Sequence, residues 1–165
     1  MKKNWGKLLS IALILCLVGA FGASLIQSNF GSVEITDVVI RTSAGEYTGY
    51  LFVPENATAE NPAPAIVTSH GYLNNREMQD LNYVELARRG YVVFAQDAYN
   101  HGNSGVLQDG AGSDIQHNTA GMVDAVEYLY ELDFVDKARI GVTGHSMGGG
   151  YSNATAAYYS GLERE

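Results

Sequence analysis

The sequence predicts an α/β fold with a mostly parallel, doubly wound sheet, and two patterns point to it. Beyond an initial hairpin pattern, strand-like and helix-like segments alternate three times along the 165 residues. Such alternation is typical of parallel sheets with helices packed on their faces. The segment YVVFAQD, residues 91–97, is an apolar run that ends in polar residues, as expected of a strand buried on both faces.

Residues 1–29 predict an N-terminal signal anchor or signal peptide. Three lysines precede the uncharged run Leu8–Ile26, whose 19 residues would span roughly 28 Å as a helix. The lysines should stay cytoplasmic, which places residues 30–165 on the extracytoplasmic side. Small residues within Ala20–Ser24 could permit cleavage and secretion, but the length of the run favours an uncleaved membrane anchor.

The first three strands follow from β-rich segments. VEITDVVIRT and YTGYLFVP flank Ser43-Ala44-Gly45-Glu46 and predict a hairpin. AIVTSHG, residues 65–71, predicts a third strand. A helix is predicted over residues 75–89 and should end at Gly90, because apolar residues recur along one side: Met78, Leu81, Val84 and Ala87.

The second half continues the alternation. YVVFAQD is the fourth strand, and KARIGVTGHS, residues 137–146, predicts a fifth. A second helix is predicted over residues 118–132 and a third over residues 147–160. The buried stripe of the second helix should contain Met122, Val126 and Leu129, with Val123 and Tyr130 flanking it. Because the carboxyl ends of parallel strands meet at one edge, three loops should converge there: His70-Gly71, Asp97–Ser104 and Gly144–Gly148.

Charge and composition limit the partners. Residues 27–165 carry 7 Lys and Arg against 18 Asp and Glu, which argues against a nucleic acid or an anionic membrane surface. The single cysteine, Cys16, lies in the apolar run, so the remainder forms no disulfide. The spacing of histidines, cysteines and carboxylates predicts no metal site, and no cofactor is expected. Nothing in the sequence indicates an oligomeric state.

One motif suggests nucleophilic chemistry. Gly144-His145-Ser146-Met147-Gly148 matches G-x-S-x-G between a predicted strand and a predicted helix. The glycines would permit a strained turn that presents Ser146 at a helix N-terminus, where negative charge is favoured. The N–H of Met147 would then point at a developing oxyanion. The structural alternative is a glycine-rich turn in which serine only caps a helix.

VDKARIGVTGHSMGG resembles the nucleophile elbow of the α/β-hydrolase superfamily, especially its esterase, lipase-like, dienelactone-hydrolase-like and acyl-peptidase-like branches. TSHGYLNNRE resembles the family's oxyanion loop, which implies that Tyr72 supplies the second N–H donor. QDAYNHGNSG resembles its Asp-x-x-x-His-Gly-x-Ser loop, which implies that Asp97 organises a loop and is not the catalytic acid. By the same resemblance, several residues shape the site without catalysing: His70, Gly71, Gly144, His145 and Gly148.

In that family the triad runs Ser, then Asp or Glu, then His along the chain. No histidine follows Ser146, and the only later acids are Glu163 and Glu165. Five strands are predicted where the family has eight, so the fifth would be an exposed edge. We therefore expect residues 30–165 to be the N-terminal part of an α/β-hydrolase domain, a fragment inactive by itself. The alternative is a degenerate relative completed by another chain or acting without catalysis.

The functional hypothesis is a serine hydrolase, membrane-anchored or secreted, that forms an acyl-enzyme on Ser146. Its substrates would be small-molecule or peptide esters, thioesters or amides. Met147 stands where peptidase branches often carry a bulky aromatic residue, which favours esterase-like chemistry over a serine peptidase. A non-catalytic binding or interaction protein that keeps the hydrolase scaffold is the alternative from another class.

Overall fold

A computed structural model describes residues 4–108 and 110–162 of the chain. The long helix α1 (Trp5–Gln27) comes first and is followed by a 3-10 turn at Asn29–Gly31. In chain order the remaining elements are β1 (Val33–Thr42), β2 (Gly45–Pro54), β3 (Ala63–Ser69), a 3-10 turn (Arg76–Gln79), α2 (Asp80–Arg88), β4 (Val92–Asp97), α3 (Asp114–Thr119), α4 (Met122–Glu131), β5 (Val135–Gly144) and α5 (Met147–Leu162).

The five strands form one mixed sheet in the order β1-β2-β4-β3-β5. β2 is antiparallel to both β1 and β4, whereas β3 is parallel to both β4 and β5. Four strands therefore point the same way and only β2 opposes them, which confirms the predicted α/β architecture. The hairpin turn is shorter than the predicted four residues, because β2 begins at Gly45, which pairs with Thr42.

Helices cover both faces of the sheet, and β4 lies between them. Its alternate residues Val92 and Phe94 join one buried cluster, and Val93 and Ala95 join the other. The first cluster contains residues of α4: Met122, Ala125, Val126 and Leu129. The second contains residues of α2: Tyr83, Val84 and Ala87. Every residue of β4 is buried as a result, and each large apolar side chain contributes roughly 1.5–3 kcal/mol.

Two helix predictions need correction. Met78 is 65% exposed and not part of the buried stripe, because Arg76–Gln79 form a 3-10 turn ahead of α2. The Leu81 side chain lies outside the described residues. The helix predicted over residues 118–132 begins only at Met122, as α4, and residues 118 and 119 end the separate helix α3. Ala120 and Gly121, which are both left-handed, separate the two helices. Tyr130 is 46% exposed, whereas the predicted stripe residues of α4 are buried.

At the two ends of the chain, large parts of the elements are exposed. Among the described strands β5 pairs only with β3, and its exposed residues include Lys137, Arg139 and Thr143, as expected of an edge.

α1 is long and apolar enough to cross a membrane, and none of it is buried, although a signal sequence has the same properties. Residues 1–3, with two of the predicted cytoplasmic lysines, lie outside the described residues. The predicted domain boundary after residue 29 stays a prediction.

Candidate active site

The serine turn, residues 144–148, joins β5 to α5 and is sterically demanding. Ser146 is exposed and has φ +53°, a left-handed conformation that residues with a Cβ atom rarely adopt. A Cβ atom on Gly144 would lie well inside 3.0 Å of the Gly148 backbone. One on Gly148 would come equally close to the carbonyl oxygen of Ser69. Strand and helix therefore approach so closely that both flanking positions require glycine.

The loop after β3 lies directly against the serine turn. A Cβ atom on Gly71 would be 3.2 Å from the His145 ring and 3.5 Å from the Ser146 Cβ. The Asn74 N–H donates to the Gly71 carbonyl oxygen at 3.2 Å and closes a turn. This turn leaves Tyr72 68% exposed beside the serine. His70-Gly71 and Gly144–Gly148 thus meet at the sheet edge where the sequence placed them.

The backbone at the start of α5 offers N–H groups near Ser146. The N–H groups of Gly148 and Gly149 donate to the carbonyl oxygens of His145 and Ser146, at 2.9 and 3.0 Å. Met147 is the first residue of α5, where amide groups have no acceptor within their own helix. The assignment of Met147 and Tyr72 as oxyanion donors stays a prediction. Each residue directly follows one of the neighbouring pair Ser146 and Gly71, where a Cβ atom on Gly71 would be 3.5 Å from the Ser146 Cβ.

His70 is locked as a neutral framework residue. Its side chain is buried, and its Nε2 accepts the Ala98 N–H at 3.1 Å. The other nitrogen, Nδ1, therefore carries the proton and donates to the Gly71 carbonyl oxygen at 2.8 Å. Burial lowers the pKa of His70, and the nearby ring of His101 lowers it further. With both nitrogens engaged, His70 holds the loops together and has no lone pair available for a general base.

Asp97 ties the loop after β3 to the loop after β4. Its buried carboxylate accepts the backbone N–H groups of Arg76 at 2.8 Å and Asn103 at 2.9 Å. The Thr48 hydroxyl donates to it at 3.3 Å. A Cβ atom on Gly102 would collide with the carboxylate, so the loop closes tightly around it. These contacts engage both carboxylate oxygens and agree with the expected loop-organising role of Asp97.

Arg76 is a central residue that the sequence did not reveal. Its buried guanidinium lies 3.5 Å from Asp97, 2.8 Å from Asp37 on β1 and 3.8 Å from the ring centroid of Tyr50. Burial opposes its charge, but the hydrogen bond with Asp37 and the charge of Asp97 outweigh burial and raise the pKa of Arg76. Its partners are remote in sequence, so no local pattern could have predicted the cluster.

No histidine completes a triad within residues 4–108 and 110–162. In those ranges no histidine side chain is hydrogen-bonded to the Ser146 hydroxyl. His101 contacts the Tyr99 carbonyl oxygen through Nδ1 at 3.1 Å, and His117 contacts the Ala111 carbonyl oxygen through Nε2 at 2.8 Å. In the same described ranges no three His, Cys, Asp or Glu side chains gather as metal ligands would. Glu163 and Glu165 lie outside them.

The known proteins that match this chain agree with its fold. The PET hydrolase-like family matches residues 20–163. The chain belongs to this family. The PET hydrolase-like chain is also 30% identical over 122 residues to the quorum-quenching protein AidA of Acinetobacter baumannii. That match covers 73% of the chain and 39% of AidA. The expected membership of the α/β-hydrolase superfamily is confirmed.

Solved structures share the fold of this PET hydrolase-like chain. A bacterial heroin esterase matches with a TM-score of 0.62 and 22% identity, over 92% of the chain and 46% of the esterase. The acetyl xylan esterase from Paenibacillus sp. R4 matches with a TM-score of 0.62 and 24% identity, over 76% and 45%. A dienelactone hydrolase-like promiscuous phosphotriesterase, P91, matches with a TM-score of 0.60 and 21% identity, over 78% and 55%. The chain thus spans about half the length of these proteins or less.

Proposed function

We propose that the protein is a serine hydrolase of the esterase type that forms an acyl-enzyme on Ser146. The observation that carries the proposal is the left-handed backbone of this exposed serine, held between two obligatory glycines. Such strain costs about 1–3 kcal/mol and persists where the surrounding structure enforces it, typically at functional sites. A serine that only capped a helix would need no such backbone.

The proposed reaction follows the order of acyl transfer. The Ser146 Oγ attacks the carbonyl carbon of an ester, thioester or amide, and its proton passes to a base. The N–H groups of Met147 and Tyr72 bind the resulting oxyanion, whose collapse expels the protonated leaving group. Water then attacks the acyl-enzyme and releases the acid. The close approach of the two loops, in which a Cβ atom on Gly71 would be 3.5 Å from the Ser146 Cβ, supports this arrangement of donors.

The base and its acid are proposed to lie outside these 165 residues. His70 has both ring nitrogens engaged, and no histidine follows Ser146. A serine hydroxyl without a base is a weak nucleophile at neutral pH. We therefore propose that residues 1–165 alone have little hydrolase activity and that a full-length protein supplies both missing groups.

We propose that α1 is a signal anchor that holds the domain on the extracytoplasmic side of a membrane. Its length, its exposure and the three lysines that precede its apolar run support this, with secretion after cleavage as the alternative. Small acyl esters are the proposed substrates, in line with the esterases among the structural neighbours. A serine peptidase remains the rival within the same fold.

A fluorophosphonate probe applied to the full-length protein tests the proposal. We expect one labelled serine in the wild type, no labelling of Ser146→Ala, and full labelling of Ser160→Ala, which replaces an exposed serine on α5. Labelling that survives Ser146→Ala would sink the proposal. The truncated chain of residues 1–165 should label far more slowly than the full-length protein, because it lacks the base.

The alternative from another class is a non-catalytic binding protein on the hydrolase scaffold. It is favoured by one observation, the lack of a histidine hydrogen-bonded to Ser146 within the described residues. It predicts that a folded full-length protein carries no aspartate and histidine downstream of Ser146 and does not react with the probe.

A further inference from the structure

The helix α1 and the serine turn lie at opposite ends of the parallel strands, which we call the amino edge and the carboxyl edge of the sheet. β1 begins at Val33, six residues after the end of α1. Because β2 is antiparallel to both β1 and β4, β1 runs in the same direction as β3, β4 and β5. α1 therefore joins the amino edge of these strands, whereas Ser146 follows the carboxyl end of β5.

The register of the sheet measures how far apart the two features are. One row of cross-strand partners runs from β1 to β5: Val38, Gly49, Gln96, Ser69 and Gly144. Gly144 is thus in register with Val38, the fifth residue after Val33, which at 3.3 Å per residue lies roughly 17 Å along the strand from the start of β1. Ser146 lies beyond it in the same direction.

The joint between α1 and the sheet is short and hydrogen-bonded. The Ser28 carbonyl oxygen accepts the N–H groups of Gly31 and Val33, both at 3.0 Å. At the end of α2, the Arg88 guanidinium donates to the Ile26 carbonyl oxygen at 2.6 Å. This bond satisfies one carbonyl group at the C-terminus of α1, and the same guanidinium pairs with Glu85 of α2 at 2.8 Å. α1 is therefore fixed to the amino edge at two places.

We infer that the serine turn faces away from the bilayer that α1 spans, and that the enzyme takes water-soluble acyl substrates instead of membrane lipid. This inference rests on the proposed hydrolase and anchor. The ester bonds of phospholipids lie at the boundary of the hydrocarbon, and the headgroup layer adds only about 5–8 Å on each side. A lipid would have to leave the bilayer to reach Ser146.

Exposed apolar side chains at the carboxyl edge fit the same substrate class. Tyr72, Leu73 and Val106 are 68%, 80% and 68% exposed, and all three lie in loops that follow β3 or β4. At this edge they can contact the apolar part of a soluble ester but not the anchor's own bilayer. The acidic excess of residues 27–165 also repels an anionic lipid surface.

The orientation is tested with full-length protein in phosphatidylcholine vesicles. Cys16 is replaced by alanine, and a donor dye is placed on Val106→Cys at the carboxyl edge or on Ala59→Cys at the amino edge. Both positions are exposed loop residues. Energy transfer to acceptor-labelled headgroups should be clearly stronger from position 59 than from position 106. Equal or reversed transfer overturns the inference, as does release of the protein from the vesicles.

The substrate class is tested on the same vesicles. We expect the protein to hydrolyse a water-soluble acyl ester. We expect no detectable hydrolysis of the vesicle phosphatidylcholine. Phospholipid hydrolysis at a comparable rate overturns the inference even where Ser146 is labelled by fluorophosphonate. An unlabelled Ser146 with position 106 still remote from the bilayer refutes the proposed function and the substrate class with it, and leaves the orientation supported.

Discussion

Replacement of Asp97 by asparagine perturbs the cluster that holds the two loops beside the serine turn. Its carboxylate accepts two backbone N–H groups, from Arg76 and Asn103, and pairs with the Arg76 guanidinium. The Asp97 and Arg76 side chains are 2% and 3% exposed, so water cannot replace the lost contacts. The carboxamide keeps one acceptor oxygen and presents an NH₂ group in place of the other.

The expected loss of unfolding free energy is about 3 kcal/mol. One charge-assisted hydrogen bond disappears, which is worth about 1.5–3 kcal/mol. The guanidinium also loses its buried counter-charge but keeps Asp37, so the loss stays at the low end of the 3–5 kcal/mol that is typical of a broken buried pair.

Urea unfolding of the full-length protein, followed by circular dichroism, measures this loss. Asp37→Asn is the matched control, because Asp37 contacts the same guanidinium while its side chain is 61% exposed. We expect Asp37→Asn to lose less than about 1 kcal/mol, since exposed pairs contribute little. Equal losses for the two variants, or a smaller loss for Asp97→Asn, would refute the argument that Asp97 is the anchor of the loops.

Three further predictions concern the serine turn and its surroundings. Ser146→Gly should raise the unfolding free energy by about 1 kcal/mol, because glycine adopts the left-handed backbone without strain, and should abolish probe labelling; a less stable variant contradicts the strain. Gly148→Ala should cost about 1–3 kcal/mol and lower Tm, since its Cβ would overlap the Ser69 carbonyl oxygen; an unchanged Tm contradicts that close approach. Because burial lowers the pKa of His70, the unfolded chain takes up a proton first, so stability should hold above about pH 6.5 and fall as the pH drops below that value. His70→Gln, whose oxygen can still accept the Ala98 N–H, should flatten this fall in urea titrations between neutral and mildly acidic pH, and an unchanged pH profile contradicts it.

Much of the fold was predictable because its signals are local. The apolar run of β4 and the alternation of strands and helices predicted the two-sided sheet, and the glycines of the serine turn predicted the close approach of β5 and α5. The break between α3 and α4 was not, because the left-handed Ala120 carries no signal in apolar periodicity. Met78 occupies a helical position in the pattern, yet a 3-10 turn presents it to solvent.

The candidate site was predictable in outline and not in its supporting contacts. The three loops could be assigned to one edge because parallel strands end together. Arg76 could not be assigned to its partners, because Asp97 is 21 residues away and Asp37 is 39 residues away in the chain. The neutral state of His70 likewise depends on the Ala98 N–H, 28 residues distant. Such pairings are set by the sheet order, which no local pattern encodes.

The most direct test of the central claim is to locate the fluorophosphonate adduct by mass spectrometry of peptides from the full-length protein. We predict a single adduct, on Ser146, in the peptide that carries the serine turn. The adduct should disappear when the protein is unfolded before the probe is added. An adduct on another serine, or no adduct on a folded full-length protein, would contradict the assignment of Ser146 as the nucleophile.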